Sequence, residues 1–164
     1  MSEIKETTIL EAFDRLDGLS DKQYEEFFVD LGEAQPELMS YIMEFSESLE
    51  NEEASEDMVF LLAIIFISYE IITEEPVPHV DEDLLDKAEE KIIAQLQELE
   101  KIEGDELQTA FIEKNQRQPE LMEYISDIMG GDEEFPSNFT EEEMGLAYTN
   151  FAVMVESIEM IYGR

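Results

Sequence analysis

The chain is 164 residues long, 43% hydrophobic, and carries 44 Asp plus Glu against 9 Lys plus Arg, for a formal net charge of −35. That length holds one good core or two small ones, and the apolar content is ordinary, so the acidity does not signal disorder. With no cysteine and no tryptophan there is no disulfide framework and no thiol chemistry.

Glutamate supplies 33 of the acids and aspartate 11, which favours helix on propensity grounds. In chain order, Thr8-x-x-Glu11 predicts a capping box that opens a short helix with Leu10, Phe13 and Leu16 on one side, stopped at Gly18. Ser20-x-x-Gln23 opens the second, with Tyr24, Phe27, Phe28 and Leu31 at helical spacing and Gly32 as its stop. Pro36 suits the first turn of the third, whose inner stripe is Leu38, Met39, Ile42, Phe45 and Leu49. Glu50 to Glu53 reads as a loop, and Ser55 as the N-cap of the fourth helix.

That fourth helix is the apolar centre of the chain. Ten consecutive apolar residues run from Met58 to Ile67, and the stretch continues to Ile72 with only Ser68 and Glu70 interrupting. A helix apolar all round must be buried on nearly every side. At about 22 Å it is too short for a bilayer core of ~30 Å, and acidic flanks without Lys or Arg argue the same way. Halophilic adaptation is a further explanation for the charge, disfavoured by the Glu preference and the bulky apolar residues.

Glu74-Glu75-Pro76-Val77-Pro78-His79 is a proline-paired linker. Asp81 to Ile102 then reads as one long helix with Leu84, Leu85, Ala88, Ile92, Leu96 and Leu99 inward, broken at Gly104. Leu107, Phe111 and Ile112 mark a sixth helix, Pro119 to Met129 a seventh, and Thr140-x-x-Glu143 caps a last one from Met144 to Ile161. No stretch alternates at period two, so no sheet is expected.

The chain also repeats itself. Gln35-Pro36-Glu37-Leu38-Met39 recurs as Gln118-Pro119-Glu120-Leu121-Met122, and Tyr41-Ile42 as Tyr124-Ile125, at an offset of 83. The expectation is an all-α, compact bundle of about eight helices, built from two tandem four-helix repeats, residues 1–75 and 76–164, related by a pseudo-two-fold. Residues 1–75 carry 21 acids and 3 bases, and residues 76–164 carry 23 and 6, so the acidity belongs to the whole folded surface.

Chemistry finds little support. A single histidine, His79, excludes a Glu-x-x-His di-iron bundle and a typical zinc site. Asp132 to Glu143 has acids at the first, third and last of twelve positions, but Ser137 stands where an EF-hand needs glycine, and Asp81-x-Asp83 lacks that glycine too. No Gly-x-Ser-x-Gly elbow or glycine-rich phosphate loop occurs. Glu70, inside the apolar helix, is the one provocative carboxylate, because burial would raise its pKa toward general acid–base use. Its bland reading is a side chain at the helix edge or bonded to Tyr41 or Tyr69; Glu156 sits at a comparable place in the last helix. The QPELM helix starts, with Tyr41 and Tyr124, could flank a symmetric groove, although core packing explains the motif as well. The nine methionines read mostly as core filler.

No catalytic, cofactor or metal residue is therefore expected. An acidic surface repels nucleic acid and anionic lipid and attracts basic protein. The expected function is a non-enzymatic interaction module (inhibitor, immunity-type factor, adaptor or chaperone-like protein) binding a basic partner. The candidate contact residues are Glu50, Glu52, Glu53, Glu56 and Asp57 in one half, and Asp132, Glu133, Glu134, Glu141, Glu142 and Glu143 in the other. Alternatives are a DNA mimic and acidity that serves solubility alone. Duplex DNA carries one charge per ~1.7 Å, roughly one per 110 Å² of its wall, about twice the average density here, so mimicry needs acids gathered on one face. A homodimer is a further option, and no direct nucleic-acid or membrane contact is expected. The start MSEIKETT shows no basic region followed by an apolar run, so a cytoplasmic setting is expected.

Overall fold

The computed structural model describes residues 3–98 and 117–163. Seven helices occur among them: α1 (Glu6–Asp17), α2 (Asp21–Ala34), α3 (Pro36–Ser46), α4 (Glu52–Thr73), α5 (Glu82–Glu98), α6 (Pro119–Gly130) and α7 (Glu141–Ile161). No strand forms among the described residues, where one isolated bridge joins Gly131 to Pro136. The fold is all-α. The expected helix at Leu107, Phe111 and Ile112, the inward Leu99 and the break at Gly104 lie outside the described residues.

α4 and α7 form the interior. Every residue from Leu61 to Tyr69 is buried, as is every residue from Phe151 to Glu159. Fully burying a Leu, Ile or Phe stabilises by about 1.5–3 kcal/mol, so these two runs are the longest unbroken contributions to the core. Amphipathic helices cover them. α1 packs chiefly on α4 and α5 on α7, while α3 and α6 each touch both central helices. α4 and α7 also meet directly. Among the described residues no helix is long and apolar enough to cross a membrane.

The ends of the helices correct several sequence expectations. α1 starts at Glu6, not at Thr8, and its N-cap Lys5 makes no side-chain cap bond. The buried Ile4 and Ile9 stand at the two positions of a hydrophobic staple, and burying that pair holds the entry without a Thr8 box. Val80 and Leu85, both buried, take the same positions around α5, where Asp81 accepts the Leu84 N–H. α2 has the expected Ser20–Gln23 box but runs through Gly32 to Ala34, because no residue there takes the left-handed turn that would stop it. α4 begins at Glu52 under an Asn51 cap, so the Ser55 cap and the loop to Glu53 are both wrong. The Ser55 hydroxyl instead donates to the Ser46 carbonyl at 2.9 Å. The Thr140–Glu143 box on α7 forms as expected.

Candidate acidic interface

The two acidic rows meet at one end of the bundle. The Glu50 N–H donates to Glu143 Oε2 at 3.1 Å, and Asn138 Nδ2 donates to Asp57 Oδ2 at 3.0 Å. Asn51 and Asn138 side chains add a longer contact of 3.4 Å. These bonds hold the N-terminus of α4 beside the loop that leads into α7. Neither row contains a Lys or Arg.

Within this end the acids divide by role. Glu143 is engaged in structure: Oε1 accepts the Thr140 N–H at 2.9 Å and Oε2 the Glu50 N–H, and these backbone bonds hold its carboxyl below the ordinary range. Asp57 is half-buried, and desolvation pushes it up against the opposing pull of Asn138. Asp132 accepts the Phe135 N–H at 2.7 Å and so closes its own turn. Glu50, Glu52, Glu53, Glu56, Glu133, Glu134, Glu141 and Glu142 are exposed. First-turn acids at a helix N-terminus gain about 0.3–1 kcal/mol from the dipole, so the fold tolerates this crowding.

The calcium-like spacing from Asp132 to Glu143 does not close into a loop. Asp132 and Glu143, its first and last acids, are bonded to backbone in different directions. Among the described residues no group of three or more His, Cys, Asp or Glu is arranged to hold a metal ion.

Tyr41 and Tyr124 do not share one groove, as the QPELM repeat suggested, but line two. Tyr41 lies with Glu37, Glu44, Glu82 and Asp86 between α3 and α5. Tyr124 lies with Glu120, Glu123, Asp127 and Glu6 between α6 and α1. Burial pushes both phenols up, with Glu89 adding to Tyr41 through a hydrogen bond. Glu120 of the second groove is paired with Lys5, which also reaches Glu3, and Glu37 of the first is paired with His79.

The two flagged interior glutamates differ sharply. Glu70 is half-buried in an open hollow with Glu11, Arg15 and Glu74; desolvation raises its pKa while Arg15 pulls it down. Glu156 is fully buried and sits between two cations, Arg117 Nε at 3.2 Å and Lys91 Nζ. Glu159, one turn later, is buried as well and accepts from Gln118 Nε2 at 3.0 Å. Counted from the caps Asn51 and Thr140, Glu70 falls opposite Glu159 rather than Glu156.

Sequence reasoning missed two features. One is the pair of buried glutamines, Gln35 and Gln118, whose side chains hold distant backbone. The other is an apolar hollow between α1, α2 and α4; the exposed aromatics at helical spacing were its signal, read instead as core. Comparison with protein-family models, with curated proteins and with solved structures gives no match, so the reading of this surface rests on its own chemistry.

Proposed function

We propose that this chain is a non-enzymatic acidic module that binds a basic protein surface through the end where α4 and α7 begin. The observation that carries the reading is the Glu50–Glu143 bond, which gathers two separate acidic rows into one patch without an internal cation. Such a patch raises the local concentration of a cationic partner and speeds its approach. The accessible area of 9510 Å² spreads the 44 acids to about 220 Å² each on average, so mimicry of DNA requires this end to be about twice as dense as the surface as a whole.

The module is built, on this reading, from two related halves. Three things support that: the QPELM repeat, the matching helix starts at Pro36 and Pro119, and the α1–α4 and α5–α7 pairings. Each half also lends a glutamine to the other. Gln35 holds Val80, just before α5, and Gln118 holds Ile4, just before α1.

The test replaces Glu52, Glu53, Glu56, Glu133, Glu134 and Glu141 with Gln, leaving the structural Glu143, Asp57 and Asp132 intact. Immobilised chain is used for capture from lysate at about 0.15 M salt. Basic proteins retained by the parent and lost by the variant support the reading. Unchanged retention overturns the site. Retained DNA-binding proteins that free duplex displaces turn the reading toward mimicry.

A further inference from the structure

The hollow between α1, α2 and α4 is walled by apolar rings that neighbouring side chains leave partly uncovered. Phe13 and Phe60 meet edge to face with centroids 6.0 Å apart, Leu16 lies beneath them, and Tyr24 closes the α2 side. Phe13 is 37% exposed and Tyr24 39%. α2 itself is poorly covered: Leu31 is its one buried residue, and the helix packs chiefly on α3.

Two features identify an occupant. The rim of the hollow is acidic, with Asp17 and Asp21 on the α1–α2 turn, and Glu56 stands one turn before Phe60 on α4. Glu56 also acts on Tyr24, whose phenol burial and that charge together push up. Because Phe60 lines the hollow one turn after Glu56, the acidic row that begins α4 runs up to its edge. An apolar floor inside an anionic rim suits a side chain that is itself apolar and flanked by cations. A second copy of this chain fits poorly, since each carries a net charge of −35 and would bring acids against acids. Strand addition has no edge to use among the described residues.

We infer that this hollow docks an amphipathic, Lys/Arg-flanked helical segment of the basic partner, with its apolar face on Phe13, Tyr24 and Phe60. The inference deepens the proposed function and rests on it, because the same acidic row guides the segment in. The acidic end supplies attraction and the hollow supplies selectivity for apolar pattern.

The probe is a fluorescein-labelled Leu/Lys peptide of about 16 residues with leucines on one helical face. Its control is a scrambled peptide of identical composition. Anisotropy is read at about 0.15 M salt on the parent chain, on the six-Gln variant, on Phe13→Ser/Tyr24→Ser, and on Val29→Ser, an exposed α2 position outside the hollow. Both groove residues are more than a third exposed, and helical circular dichroism is recorded on each variant to check that it folds. The expected result is at least tenfold tighter binding of the patterned peptide, lost in Phe13→Ser/Tyr24→Ser and kept in Val29→Ser. Equal binding of both peptides, indifferent to the groove variant but lost in the six-Gln variant, overturns the hollow and spares the basic-partner reading. Binding of neither peptide overturns both. Concentration-dependent dimers that the groove variant abolishes would assign the hollow to a second copy instead.

Discussion

Gln118 Oε1 accepts the backbone N–H of Ile4 at 2.7 Å, a bond across 114 residues of sequence. Gln35 does the equivalent for Val80, accepting its N–H at 2.9 Å while Nε2 donates to the carbonyls of Val77 and Pro78. Both glutamines are buried and both precede the proline that opens a helix. Gln118 also holds a left-handed φ of 53°, a strained conformation for a residue with a side chain. Gln35 makes its equivalent bonds at a φ of −133°, so the left-handed backbone is particular to Gln118.

Removing either side chain orphans a buried backbone donor. Gln118→Ala and Gln35→Ala should each destabilise by about 1–3 kcal/mol in urea melts. Met39→Ala, on the half-buried side of α3, separates this from plain loss of packing, because it leaves both bonds intact. A loss under about 0.5 kcal/mol in both glutamine variants would mean that water replaces the side chain.

How much of this was legible follows from range. α4 announced itself because a run apolar on every side has one resting place, and the capping boxes at Ser20 and Thr140 are local codes read within four residues. Thr8 misled because a staple made by Ile4 and Ile9 opens the helix ahead of it and leaves no polar trace. Gln35 and Gln118 recur at the head of the repeat, but their role was hidden, because partners 45 and 114 residues away lie beyond any local pattern. The meeting of Glu50 with Glu143 belongs to the same class, since each row alone looks like a solvated loop.

The buried Glu156 makes a second prediction. Arg117 spans both its oxygens, with Nε at 3.2 Å and Nη2 at 3.5 Å, and Lys91 adds a bond from a more exposed position. Arg117→Met should therefore cost about 1.5–3 kcal/mol, since a desolvated carboxylate loses its better-buried cation while Lys91 stays bonded to it. Lys91→Met should cost clearly less. The triple change Lys91→Met, Arg117→Met, Glu156→Leu should recover much of the loss, as apolar replacement of a buried ionic group often does. Equal losses for the two single variants would contradict this division.

Glu70 predicts a pH dependence. Its ordinary pKa is 4.5 and its folded value is higher, because desolvation outweighs the attraction of Arg15. As pH rises, the unfolded chain loses this proton first. Folding is therefore weakened across the window from 4.5 up to the raised folded value, and it stays weakened above it. Glu70→Gln removes the titration, so it should stabilise at pH 7 and be neutral below about pH 4. The half-exposed site keeps the gain under about 1 kcal/mol. Stabilisation that persists unchanged at low pH would point to packing rather than charge.

Salt gives the broadest test of the acidic surface. At about 0.01 M ionic strength the Debye length of ~30 Å spans many neighbouring acids, whereas at 0.15 M it is ~8 Å, shorter than their mean spacing. Repulsion among exposed carboxylates should thus weaken the fold in dilute buffer and fade as salt is added. The melting temperature should climb with ionic strength, by about 2–4 °C for each kcal/mol of repulsion relieved. Sodium chloride and choline chloride should act alike at equal ionic strength, because the mechanism is screening and no specific cation is required. The six-Gln variant at the α4–α7 end should start higher and climb less. A flat response in the parent chain would mean that the acids are paired or protonated, which would remove the attraction that the proposed basic partner depends on.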